Sequence, residues 1–97
     1  MPAYIIADVE WVDPNRIGEY SRVAYPTLVA AGGLMLAATS QVEVIEGEWR
    51  PGLLVIIQFP TAEDARKWLD SPEYRPAQQI RHLSARTNMI LVDSEND

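Results

Sequence analysis

The sequence predicts an α+β fold, β-α-β-β-α-β with an antiparallel sheet. Two observations predict it first: extended apolar runs recur at Ala3–Val12, Leu34–Ala38, Leu53–Pro60 and Arg86–Asp93, and two capped amphipathic stretches lie between them. A third is an internal repeat, because residues 4–20 align on residues 52–68 at a constant offset of 48. Ile5 falls on Leu53, Val9 on Ile57, Trp11 on Phe59, Asp13 on Thr61 and Tyr20 on Trp68. Such a duplicated half is the split βαβ, ferredoxin-like arrangement.

Each element has a local cause. "AYIIADVEWV" alternates, so Ile5, Ala7, Val9 and Trp11 share one face of a strand while Tyr4, Ile6, Asp8 and Glu10 share the other. Asp13 then caps a helix with Pro14 at its first position; Ile17, Tyr20, Ala24, Leu28 and Ala31 supply its stripe, and Gly32-Gly33 ends it. Pro26 is expected to kink this helix near Tyr25. Leu34–Ala38 reads as extended, Thr39–Gln41 as a turn or bulge, Val42–Ile45 as a further short strand and Glu46–Gly52 as a loop. "LLVIIQFP" is apolar enough for a central strand.

Thr61 caps the next helix, with Glu63 and Asp64 in the turn where the helix dipole favours negative charge. "DSPEYRPAQQIRHLSA" carries prolines at 72 and 76, so this second helical region is expected in two pieces with an elbow. The elbow should bring Glu73, Tyr74 and Arg75 to the sheet's edge.

The repeat also orients the sheet. The fully apolar rows, Ile5 to Trp11 and Leu53 to Phe59, belong under the helices. The other face, with Tyr4, Ile6, Leu54 and Ile56, is too apolar to meet water and calls for an identical subunit as its cover.

Composition narrows the function. The chain has 97 residues, one domain's worth, with a formal charge of −6 and no cysteine. Its single lysine and scattered arginines form no basic stripe, which argues against nucleic acid. No signal peptide or membrane-spanning run is visible, and a cytoplasmic protein is expected. Nucleotide loops, GxSxG and HExxH are absent, and one histidine without cysteine makes a metal site improbable, so no metal or other cofactor is expected.

The candidate site residues each have a plain alternative. Asp8, in mid-strand on the face that calls for a second subunit as its cover, would act as a general base if buried, or else sit as a rim carboxylate beside an arginine. His82 could share the proton transfer or simply favour a helix C-terminus. Tyr4, Tyr25, Trp49, Gln58, Tyr74 and Asn88 are candidate ligand contacts, whereas Tyr20 and Trp68 read as helix-to-sheet core.

The strand "AYIIADVEWVDP", the glycine pair after the first helix, and "EGEWRPG", "FP" and "SPEY" together resemble the bacterial DUF1330 family over nearly the whole chain. The resemblance implies a dimeric α+β barrel whose interior can hold a small molecule, among relatives that include cofactor-independent monooxygenases, dehydratases and cyclases. Many members similar to this one carry two arginines where this chain has Leu34 and Ala38, so a neutral or hydrophobic ligand is expected in place of an anionic one. The functional expectation is a homodimer that binds a small organic molecule and can act on it without cofactor. The alternative is a non-catalytic binding or scaffold protein.

Overall fold

In the computed structural model, which describes residues 1–94, strands β1 (Ala3–Trp11), β2 (Leu34–Thr39), β3 (Leu53–Phe59) and β4 (Ala85–Asp93) form one antiparallel sheet in the order β2-β3-β1-β4. The helices are α1 (Ile17–Ala30), α2 (Ala62–Leu69) and α3 (Arg75–Ser84). β3 separates β1 from β2, so the fold is the split βαβ of the ferredoxin-like class.

The helix starts follow from their caps. The Asp13 carboxylate accepts the Asn15 N–H at 3.1 Å at the head of a short 3-10 turn leading into α1. The matched Thr61 hydroxyl accepts the Asp64 N–H at 3.1 Å at the head of α2. α1 runs through Pro26 as one helix and ends as Gly32 and Gly33 donate to the carbonyls of Val29 and Leu28, Gly32 having a φ of 85°. The expected elbow separates α2 from α3: the Ser71 hydroxyl donates to the Trp68 carbonyl at 2.8 Å and accepts the Tyr74 N–H at 3.2 Å. Pro76 falls in the first turn of α3, where its missing N–H costs little. Tyr74, expected at the sheet's edge, is instead turned inward and fully buried, while Glu73 and Arg75 stay exposed.

The register places the rows as the repeat predicts. Ile5, Ala7 and Val9 are buried with Ile57 and Phe59 under the helices, beside Leu28, Ala65, Trp68, Tyr74 and Ala77. Tyr4 pairs with Gln58, Ile6 with Ile56 and Ile90, and Asp8 with Leu54 and Asn88 on the face that carries no helix.

One element differs from expectation. Val42–Ile45 forms no strand: pairing between β2 and β3 ends at Thr39 and Leu54, and residues 41–50 leave the sheet as an exposed arm. Beyond Thr39 the arm has no neighbouring strand in the same chain to take its backbone hydrogen bonds, so Val42, Val44 and Ile45 stand in solvent.

Candidate functional site

A cavity of about 150 Å³ opens between α1 and the helix-facing side of the sheet. On α1, Ile17, Tyr20, Ser21, Ala24, Tyr25 and Leu28 fall at helical spacing along one face and form its roof. Ala7, Val9, Val55 and Ile57 form the floor. Small residues leave room: Ala7 lines the cavity from the floor, Ala24 from the roof and Ala38, in the edge strand β2, from the side. A bulge at Leu36, between the pairs Met35–Ile57 and Ala37–Ile56, bends that edge. Half-exposed Tyr25 and exposed Ser21 mark the mouth.

The lining is almost wholly apolar except at one end, where α1 meets α3. Tyr74, Ala77, Arg81 and Ser84 fall at i, i+3, i+7 and i+10 on the buried side of α3, so the helix presents an arginine on its inward stripe. The Tyr20 and Tyr74 hydroxyls lie 2.8 Å apart, and either can donate. Their rings belong to a run of aromatic contacts: Trp11 to Tyr20 at 5.5 Å between centroids, Tyr20 to Tyr74 at 6.4 Å, Tyr74 to Trp68 at 4.1 Å and Trp68 to Phe59 at 5.6 Å. The Trp68 indole N–H is satisfied by the Thr27 hydroxyl at 3.0 Å, which fixes the indole under α1.

Burial raises the pKa of Tyr20 far above the ordinary phenol value, and the neighbouring Tyr74 adds to the rise while the positive charge of Arg81 opposes it. Arg81 is only 6% exposed, and no carboxylate of the described residues forms an ion pair with it. Its Nε–H is buried without a hydrogen-bond acceptor.

The sequence-derived candidates separate into three places. Tyr25 and Tyr74 line the cavity. Tyr4, Asp8, Gln58 and Asn88 lie together on the opposite, helix-free face. There the Asp8 carboxylate accepts the Trp49 indole N–H and the Gly52 backbone N–H, each at 2.9 Å. His82 is exposed on α3 and belongs to neither group. Tyr20 and Arg81 complete the polar end of the cavity; Tyr20 reads as core in the sequence, and the sequence signal that could have pointed to Arg81 is a cation at an apolar position of the 74-77-81-84 stripe. Among the described residues no three His, Cys, Asp or Glu side chains gather as metal ligands, and no helix is long and apolar enough to cross a membrane.

The sheet, its one-sided helices and the cavity beneath α1 define a ferredoxin-like α+β protein. The chain belongs to the DUF1330 family, a domain of unknown function, whose model matches residues 2–94. No curated protein matches it. Among solved structures it is similar to the RPA0582 protein of unknown function from Rhodopseudomonas palustris, with a TM-score of 0.79 and 15% identity over 99% of this chain and 84% of that one. It is similar to SnoaB, a cofactor-independent oxygenase from Streptomyces nogalater, with a TM-score of 0.70 and 10% identity over 99% and 95% of the two chains. A candidate antibiotic biosynthesis monooxygenase from Caulobacter crescentus gives a TM-score of 0.63 and 13% identity over 96% and 89%. At these identities the likeness is one of fold.

Proposed function

We propose that this protein is a cytoplasmic homodimer that binds a small, largely hydrophobic organic molecule in the cavity between α1 and the sheet. The single observation that carries the reading is the cavity itself, apolar along its length and polar at one end. That is the pattern of a ligand site, in which apolar walls supply affinity and a few placed polar groups fix orientation. A space of about 150 Å³ suits a body on the order of one aromatic ring.

The second copy would cover the helix-free face. Leu34, Leu36, Ile90 and Val92 are exposed there at 57%, 48%, 58% and 37%, beside the apolar arm of Val42, Val44 and Ile45. The Asp8 clamp on Trp49 and Gly52 holds the base of that arm, and in this reading Asp8 helps to shape the interface. A cofactor-independent catalyst is the second reading, favoured by the Tyr20–Tyr74 hydroxyl pair, which could hold or pass a proton at a bound molecule.

Filling the cavity tests the reading. Ala7 is buried on the floor, and Ala7→Leu would occupy the space a ligand needs. The expected result is loss of binding of small aromatic probes with the dimer and melting temperature retained. A severe drop in stability would mean that the floor is already packed, and unchanged binding would place the ligand elsewhere.

A further inference from the structure

Resting on the cavity reading above, we propose that the Tyr20–Tyr74–Arg81 end of the cavity is a recognition pole for one anionic oxygen group, so that the ligand is a ring-sized organic acid, its ring in the apolar part and its carboxylate at α3. The hydrogen-bond inventory at this pole leads there. Two hydroxyls 2.8 Å apart use one proton between them, which leaves the other free to donate. Arg81 adds a buried Nε–H without an acceptor. The pole thus holds one free hydroxyl proton and the guanidinium of Arg81, which lines the cavity at 6% exposure and is paired with no carboxylate of the described residues. A negatively charged group that accepts from the hydroxyl and meets the guanidinium completes it.

A purely structural role fits Arg81 poorly. A buried cation without a counter-charge is a large desolvation penalty, and an apolar side chain of similar length would fill the same place on the α3 stripe without it.

Benzoate and benzyl alcohol, close in size and differing in charge, are titrated by calorimetry into the full chain and into Arg81→Met. The expected result is benzoate bound roughly ten- to a hundredfold tighter than the alcohol, a preference lost in Arg81→Met while that variant melts at or above the wild-type temperature. Equal binding of the two probes to the wild type overturns the anion pole but leaves the cavity reading standing. So does a benzoate preference that survives in Arg81→Met. If neither probe binds, both readings fall. Arg81→Gln, which keeps a polar head without the charge, serves if the methionine variant does not fold, and it too should lose the preference.

Discussion

Asp8 reaches from the middle of β1 to the arm that follows β2, taking the Trp49 indole N–H on one carboxylate oxygen and the Gly52 backbone N–H on the other, both at 2.9 Å. The spacing "EGEWRPG" makes this possible: Gly47 turns with a φ of 89°, Trp49 swings its ring back to the sheet, and Gly52 passes close to β1, where a Cβ would lie 3.0 Å from the Val9 carbonyl oxygen. Two donors held by one carboxylate set where the arm leaves the sheet.

Asp8→Asn is expected to keep one of these bonds and oppose a donor to the other. The contacts are solvent-exposed, so the cost should be modest, about 0.5–1.5 kcal/mol. The clearer readout is local: faster amide exchange at Gly52 and a shift in Trp49 fluorescence, with probe binding in the cavity unchanged. Loss of cavity binding in a folded Asp8→Asn protein would return Asp8 to the ligand site.

Tyr20 predicts an alkaline limit to stability. Its pKa is raised in the fold, chiefly by burial, so the folded state keeps a proton that the unfolded chain releases near pH 10. The contribution is therefore fully present below about pH 10 and is lost as pH rises toward the folded-state value, at up to about 1.4 kcal/mol per pH unit. Chemical denaturation from pH 8 to 12 checks this, and Tyr20→Phe should shallow the decline. A wild-type curve no steeper than that of Tyr20→Phe would contradict the assignment.

Most of the fold was legible because its signals are local. Asp13 and Thr61 are caps wherever they start a helix, and alternation in β1 fixes which residues share a face. The same register that read correctly also divided the expected site, since Asp8 and Tyr4 share a row pointing away from the helices. What stayed hidden is depth. Whether Tyr20, Tyr74 and Arg81 meet depends on how α1 packs against α3, and neither helix carries that angle in its own periodicity. The Val42–Ile45 segment failed as a strand for a related reason, because its β-branched residues promise pairing without saying with which chain.

Gly33 gives a sharper test of the packing above the sheet. A Cβ there would overlap the Leu28 Cδ1 and lie 3.1 Å from the Phe59 Cε1, both in the buried core. Gly33→Ala must displace Leu28, at an expected cost of about 1–3 kcal/mol by denaturation. Because Leu28 also lines the cavity, probe affinity should change with it. Gly18, whose Cβ would meet nothing within 4 Å, is the control: Gly18→Ala in α1 should be neutral or stabilising by up to about 1 kcal/mol.

The helix-free face supplies the last prediction. Ile90 stands opposite Ile6 in the middle of that face and is 58% exposed, with Val92 and Ile56 nearby in the register. An isoleucine so exposed gains little from its own fold, so replacing it should cost the single chain almost nothing. In a dimer that stacks two such faces it would be desolvated, and a carboxylate in its place would be buried without a partner. Ile90→Glu is therefore expected to leave the circular dichroism and cavity of the subunit intact while shifting the mass in light scattering from two chains to one. Such a monomer should then expose Tyr4, Ile6 and the Val42–Ile45 arm, and bind a hydrophobic dye that the parent excludes. An Ile90→Glu protein that remains dimeric would rule this face out as the subunit contact.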